Sequence, residues 1–222
     1  MCITHFVRFS ACLLEKILRA FSRGARLRRI TPLASVICYN FYVVDLSFLE
    51  QEAPVVARQL IGWRLFVVDS GQKVGGTIVE TEAYTEADAA SHSYRGKTPR
   101  NEIMFGPAGH VYVYFTYGMH WCANIVVGPE CSGEAVLIRS ILPEKGLNII
   151  RARRSRPDSE LTNGPAKLCQ ALNITGSDNG LILNASRIVL EPPSEGADYQ
   201  VETSRRIGIR HDRHRLWRFS VI

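Results

Sequence analysis

The chain has 222 residues, of which 46% are hydrophobic and 22% are charged, and these are the values of a globular protein. This length allows one domain with a sizeable core, and the composition excludes a fibrous or a largely disordered protein. Six cysteines without a C-x-x-C pair predict free thiols in a reducing compartment rather than a disulfide scaffold. His211 and His214 have no cysteines arranged to join them, so we predict no metal site.

The net charge of +6 is concentrated at the start of the chain. Residues 1–45 contain seven basic and two acidic residues, which leaves twenty basic and nineteen acidic residues for 46–222. A basic, amphipathic and acid-poor segment is typical of a transit peptide, although a loosely attached extension or an upstream start codon explains it as well. We predict a basic N-terminal extension over 1–45, disordered or transit-like, and a globular domain over 46–222. No apolar run is long enough to predict a membrane span.

The first elements of the domain are a helix and a hairpin. Ser47 starts a segment with capping-box spacing, and the helical pattern that follows ends at Gly62. The ranges 63–69 and 74–84 alternate and are separated by a Ser-Gly turn, which predicts a pair of antiparallel strands.

The second of these strands places two carboxylates on one face. A period of two puts Glu80 and Glu82 on the same face as Ile78 and Tyr84. Such a pair is most often a solvated face, but the long loop and the tyrosine-rich hairpin that follow favour a functional site. Carboxylates two residues apart on a strand are about 6 to 7 Å apart at the backbone, which leaves open a glycosidase that acts on free nucleosides or sugars.

An irregular segment over 87–109 carries glycine, proline and arginine and allows one short helix at most. Long loops in compact domains are usually functional. His92 within it is either a binding residue or a structural histidine.

A second hairpin is predicted from two alternating ranges, 110–116 and 121–127. Tyr112 and Tyr114 share one face of its first strand, while Asn124 shares a face of its second strand with two neighbours, Cys122 and Val126. Tyr117 lies at or beside the tip. An aromatic side chain there either packs back onto the hairpin or projects as a wedge.

Arg139 interrupts the otherwise apolar strand predicted over 135–142. A buried guanidinium needs an anionic partner, and Glu80 or Glu82 is the candidate. A purely structural ion pair is the alternative.

The remaining elements are two helices and several short strands. One helix is predicted over 143–154 and ends in arginines, and a second begins with proline at 165 and carries Lys167. The amides at the start of this second helix, next to Lys167, either bind a phosphate or simply begin a well-formed helix. Short strands are predicted over 181–183, 187–191 and 217–222.

Five blocks in this order resemble the alkyladenine DNA glycosylase family, also called 3-methyladenine DNA glycosylases, in its bacterial form. The blocks are Glu80–Tyr84, Thr98–Asn101, Tyr112–Met119, Asn163–Leu172 and Arg206–Ile209. The resemblance covers about 46–222 and implies a single α+β domain with a curved, mostly antiparallel sheet and surrounding helices. It also implies a base-excision-repair enzyme that flips a damaged purine out of duplex DNA and hydrolyses its N-glycosidic bond without lyase activity. The implied substrates are 3-methyladenine, 7-methylguanine, hypoxanthine and ethenoadenine.

The resemblance implies a role for each matched residue. By this resemblance, Glu82 is expected to activate the attacking water, Arg139 to help hold it, and the backbone of Ile209 to complete the water site. The other implied roles are base-pocket lining by Tyr84, His92, Tyr114 and Asn124, and intercalation into DNA by Tyr117. At the DNA backbone we expect basic residues, namely Lys167, Arg100, Arg153 and Arg154.

The resemblance implies no cofactor and no metal, and double-stranded DNA with damaged purines as the partner. We expect a monomer without membrane association, in the cytoplasm at the nucleoid, or in an organelle if the first 45 residues are a transit peptide. The basic run Arg210–Arg215 departs from the family pattern. A noncatalytic DNA- or RNA-binding module, in which Glu82 would be dispensable, is the other alternative.

Overall fold

The computed structural model describes residues 44–222, which form one α+β unit, as predicted. The prediction for 1–45 lies, apart from its last two residues, outside the described part. Within 44–222 the three α-helices are α1 (Ala53–Gln59), α2 (Leu147–Arg154) and α3 (Pro165–Leu172). The strands of the same region are β1 (Arg64–Asp69), β2 (Gln72–Tyr84), β3 (Val111–Thr116), β4 (His120–Val127), β5 (Glu134–Lys145), β6 (Ile188–Glu191), β7 (Val201–Ser204) and β8 (Arg218–Val221).

The strands form one antiparallel sheet in the order β3-β4-β5-β2-β1-β6. The long strand β2 is central, because β5 pairs with it along one edge while β1 and then β8 pair with it along the other. β7 extends the sheet beyond β8. Helix α1 packs on β2 and β5, and α3 packs on β4 and β5, so one face of the sheet forms the main core.

A β-bulge in β2 decides which side chains face this core. Ile78 and Glu80 pair with adjacent residues of β5, so Val79 is an extra residue without a partner. Ile78 and Ala83 both lie in the main core, whereas the Glu82 side chain lies on the other face of the sheet. The prediction that Ile78 shares a face with the two glutamates is therefore wrong, since the bulge shifts the alternation by one residue.

The chain from 47 to 59 forms two short elements instead of one helix capped by Ser47. Ser47–Glu50 is a 3-10 helix in which Ser47 makes no side-chain capping bond, and its backbone N–H donates to Asp45 Oδ1 over 2.9 Å. Glu52 is extended, and α1 begins after it with Pro54 in its first turn. Proline lacks the N–H that a helix interior needs, so it fixes the start of α1 here.

The predicted helix start at Pro143 is also wrong. β5 continues to Lys145, and Pro143 pairs with Gly76 at a register shift of β2, a place where a strand tolerates a residue without an N–H. Gly146, with φ of 70°, then turns the chain into α2. The predicted strand over 181–183 is reduced to a single bridge between His110 and Ile182, and β7 was not predicted.

The prediction of a long irregular segment with one short helix is confirmed. The segment 87–109 is irregular except for one short 3-10 helix, Glu102–Phe105. Cys122, Cys131 and Cys169 are free thiols. Within residues 44–222, no helix is both long and apolar enough to cross a bilayer.

Candidate active site

A cavity of about 560 Å³ opens on the sheet face that the helices leave uncovered. Its walls come from alternate residues of four neighbouring strands, β2 to β5, and from two loop segments, 89–92 and 207–211. The strand residues that line it include Glu82, Tyr84, Tyr112, Tyr114, Cys122, Asn124, Leu137 and Arg139. A cavity of this size is typical of a site for a small organic group such as a nucleobase.

Glu82 is fully buried in the wall of this cavity. Its Oε2 accepts a hydrogen bond from the Tyr84 hydroxyl over 2.8 Å and lies 3.2 Å from an Arg139 guanidinium nitrogen. Its Oε1 accepts the backbone N–H of Ile207 over 2.8 Å. Two hydrogen bonds and one ion pair thus compensate the burial of the charge. A carboxylate oxygen can accept about two hydrogen bonds. Oε1 accepts one from residues 44–222, so an acceptor position remains on Oε1.

Arg139 connects Glu82 to the second carboxylate. Its Nε donates to Glu80 Oε1 over 2.7 Å, and Arg218 Nε donates to the same oxygen over 2.5 Å. Burial opposes the charge of Arg139, but the carboxylates of Glu82 and Glu80 outweigh it and raise the pKa of Arg139. The predicted anionic partner of Arg139 is confirmed. Glu80 does not line the cavity and is neutralised by two arginines, which weighs against a glycosidase that uses both carboxylates.

The other walls are aromatic. The Tyr114 ring lies with its centre 4.5 Å from that of His92 and 5.6 Å from that of Tyr112. His92 Nδ1 is 2.9 Å from the Tyr112 hydroxyl. Burial raises the pKa of Tyr112 to about 12, and it also raises the pKa of Tyr114. Burial, followed by the positive charge of Arg100, lowers the pKa of His92, so its imidazole is neutral at neutral pH.

The loop that carries His92 is held by Asn101, which is buried. The Asn101 side-chain amide donates to the carbonyl of His92 over 2.8 Å and to that of Gly96 over 3.1 Å. Its oxygen accepts the backbone N–H of Thr98 over 2.6 Å. The Thr98–Asn101 block therefore fixes the path of the loop, a role that the sequence motif did not reveal.

A buried ion pair lies behind the part of the wall that Tyr84 and Ile207 form. The side chains of Asp88 and Arg206 are both fully buried, and they form a hydrogen-bonded ion pair. Arg206 also donates to the carbonyl of Ala83 over 2.9 Å, and its guanidinium lies 4.7 Å from the ring centre of Tyr84. Because Ile207 follows Arg206 directly, this pair helps to place the N–H that reaches Glu82. Nothing in the sequence around Asp88 distinguished it from other loop acids.

The tip of the β3–β4 hairpin projects from the rim. Tyr117 and Gly118 both have positive φ, and the Met119 N–H donates to the Thr116 carbonyl over 3.2 Å, as in a tight turn with two left-handed residues. The Tyr117 side chain is 81% exposed. Of the two conformations left open by the sequence, the structure has the projecting one.

A family model described as methylpurine-DNA glycosylase (MPG) matches residues 47–222. The chain belongs to this family. It is thus a DNA glycosylase, which confirms the predicted class of enzyme, and enzymes of this class act on DNA.

Related proteins carry the name "Putative 3-methyladenine DNA glycosylase". One from Agrobacterium fabrum is 49% identical over 179 residues, which cover 80% of this chain and 88% of the relative. One from Carboxydothermus hydrogenoformans is 45% identical over 175 residues, which cover 78% and 92%. An archaeal relative from Methanoculleus marisnigri is 45% identical over 167 residues, covering 73% and 86%.

The glycosylase cavity brings together the eight predicted residues of the catalytic, base-pocket, intercalation and water sites. These are Glu82, Arg139, Tyr84, His92, Tyr114, Asn124, Tyr117 and Ile209. Their roles stay predictions. The backbone group that contacts Glu82 belongs to Ile207, two residues before the predicted Ile209. Among residues 44–222, no cluster of three or more His, Cys, Asp or Glu could hold a metal ion.

The four basic residues predicted at the DNA backbone do not line the cavity of the glycosylase. Lys167 donates to Asn163 over 2.8 Å, and the exposed Arg100 reaches the Phe115 carbonyl over 3.5 Å. Arg153 pairs with Asp69 and donates to the Ala171 carbonyl, and Arg154 donates to Gln170. The last two therefore join α2 to its surroundings, and their contact with DNA stays a prediction.

Proposed function

We propose that this glycosylase takes an alkylated or deaminated purine nucleotide, flipped out of duplex DNA, into the cavity and hydrolyses its N-glycosidic bond. The observation that carries the proposal is the buried Glu82 carboxylate, which has one free acceptor position on Oε1 and faces a cavity with aromatic walls. The substrates we infer are 3-methyladenine, 7-methylguanine, hypoxanthine and ethenoadenine. The reaction requires no cofactor.

The free position of Oε1 suits a water molecule. Glu82 accepts a proton from this water as its oxygen bonds to C1′ of the sugar, and the bond between C1′ and the purine nitrogen breaks with its electron pair leaving on the base. The transition state resembles an oxocarbenium ion, so the negative charge of Glu82 also stabilises it. Arg139 holds Oε2, and we infer that it orients the water together with the backbone at 207–209.

The aromatic walls favour electron-poor purines. Tyr84, His92 and Tyr114 offer ring faces or edges to a stacked base, and a purine alkylated at N3 or N7 carries positive charge that attracts a π system. A neutral His92 adds no opposing charge. Asn124, whose amide donates to the Tyr112 carbonyl over 3.0 Å, is fixed in the wall. We infer that it crowds the 2-amino group of normal guanine.

The projecting Tyr117 is suited to the gap that a flipped nucleotide leaves in the duplex. An inserted aromatic side chain offsets part of the unstacking cost, which is about a few kcal/mol per base step. Water, rather than an amine, is the proposed nucleophile, so the product is an intact abasic site and the enzyme has no lyase activity. We infer that it acts as a monomer in the cytoplasm.

Single-turnover excision from a duplex with one hypoxanthine or one ethenoadenine tests this proposal. Glu82→Gln should lower the rate of base release by about 10² or more, the scale of a lost general base, while DNA binding is kept. Glu130→Gln, the same change at an exposed position, is the matched control and should behave as wild type. Borohydride should trap no covalent complex.

Wild-type protein that binds DNA but releases no base from these or from methylated duplexes would contradict the proposal and favour the noncatalytic binding module. Equal rates for wild type and Glu82→Gln would show that the base is another residue.

A further inference from the structure

The basic run Arg210–Arg215 is an ordered segment beside the cavity. The Asp212 carboxylate accepts the backbone N–H of Ala89 over 2.9 Å. Arg215 donates to the Ala87 carbonyl over 3.3 Å, and its guanidinium lies 4.4 Å from the ring centre of Trp217. Upstream of the run, the Ile207 N–H donates to Glu82 over 2.8 Å, so Arg210 and His211 lie between two anchored residues, Ile207 and Asp212.

Two residues of this run line the cavity, Arg210 and His211, and both are exposed. Within residues 44–222, the structure records no hydrogen bond and no ion pair for either side chain. The other arginine of the cavity wall, Arg139, is paired with carboxylates. A cationic fork beside a nucleotide site, without a protein anion, is suited to a phosphate.

We propose that Arg210 and His211 form a phosphate-binding site at the cavity mouth, which holds a backbone phosphate adjacent to the flipped nucleotide. This inference rests on the proposed function, because the phosphate is brought there by the nucleotide whose base reaches Glu82. A nucleotide carries its flanking phosphates within a few bonds of C1′, so they remain near the opening when the base is inside. Arg210 supplies a bidentate contact and His211 an imidazole N–H.

A contact of this kind fixes the register of the nucleotide rather than the identity of the base. Such a contact requires a fixed position beside the cavity, and the contacts of Asp212 and Arg215 with residues 87–89 help to provide it. Two arginines of the run therefore have different roles. Arg215 contacts the protein, through a backbone carbonyl and the Trp217 ring, while Arg210 remains available for DNA.

Salt dependence of binding measures the contact. In a Glu82→Gln background, which we expect to leave the duplex uncleaved, Arg210→Gln should reduce the slope of log affinity against log salt by about 1, as for one lost phosphate contact. Affinity for an ethenoadenine duplex should fall by about tenfold, the equivalent of a charge-assisted hydrogen bond. Arg58→Gln removes the same charge on α1, which packs on the core face of the sheet, and should leave the slope unchanged.

Duplexes with one neutral methylphosphonate then locate the phosphate. At one position next to the lesion, the methylphosphonate should weaken DNA binding by the Glu82→Gln protein. The Glu82→Gln, Arg210→Gln double variant has already lost this contact, so the same methylphosphonate should not weaken its binding. Losses that add at every position, or a slope that Arg210→Gln and Arg58→Gln change equally, would overturn the inference. Wild-type excision on the unmodified duplex is measured in parallel, so that a failure of the proposed function is seen separately from a failure of this contact.

Discussion

The backbone N–H of Ile207 donates a hydrogen bond to Oε1 of Glu82 over 2.8 Å, across a sequence separation of 125 residues. The carboxylate is thus held by its own strand through Tyr84, by the adjacent strand through Arg139, and by the C-terminal segment through Ile207.

Removal of the Tyr84 hydroxyl should slow base release without loss of the fold. Tyr84→Phe leaves Oε2 of the buried Glu82 with one donor fewer, and a hydrogen bond to a charged group contributes about 1.5 to 3 kcal/mol. If that contribution is made to the transition state, the single-turnover rate should fall by about tenfold to a hundredfold. Tyr94→Phe, at an exposed tyrosine, is the control. Identical rates for both variants would show that the Tyr84–Glu82 bond is irrelevant to catalysis.

The ion pair between Asp88 and Arg206 should be far more sensitive than a surface pair. Asp88→Asn leaves a fully buried guanidinium without its anion and should lower the free energy of unfolding by about 3 to 5 kcal/mol. Asp158→Asn makes the same change in the exposed pair with Arg151, where solvent screens the charges and a much smaller loss is expected. Urea unfolding of the two variants measures the difference, and similar losses would contradict the structural distinction.

The stability of the protein should decrease on acidification in part through His92. Burial lowers the pKa of His92 in the folded state, so the unfolded chain binds a proton first as the pH falls. Its contribution is therefore present above the ordinary pKa of 6.5 and is lost as the pH falls below that value towards the folded pKa. Unfolding free energies at several pH values between about 5 and 8 should show a smaller decrease for His92→Gln than for wild type. The exposed His214→Gln should retain the wild-type decrease, and equal slopes for all three proteins would exclude this origin.

Loss of the Tyr117 ring should affect DNA handling and leave stability unchanged. The side chain is 81% exposed, so Tyr117→Ala should change the free energy of unfolding by about 0.5 kcal/mol or less. The rate of base excision at a subsaturating enzyme concentration should nevertheless fall, because the inserted ring offsets part of the unstacking cost of about a few kcal/mol. A lesion opposite a missing base, where less pairing is lost on flipping, should show a smaller defect. Tyr94→Ala controls for the loss of an exposed tyrosine.

Local sequence patterns predicted the walls of the cavity well. The alternation put Tyr112 and Tyr114 on one face of β3, and Asn124 on one face of β4, and the structure lines the cavity with all three. The requirement for an anionic partner at Arg139 was likewise correct. Such predictions succeed because a strand has a fixed period of two and because a buried charge needs compensation, whatever the fold.

The sequence by itself thus determined the class of fold, the family motifs and the side chains that carry the proposed chemistry. Tertiary structure decided the face on which Glu82 lies, because the bulge at Val79 depends on the register with β5 and leaves no trace in local periodicity. It also decided that Ile207 contacts Glu82 and that Asp88 pairs with Arg206, since these contacts join residues 125 and 118 apart. Contacts at such separations are selected by the packing of the whole domain, which no single stretch of sequence encodes.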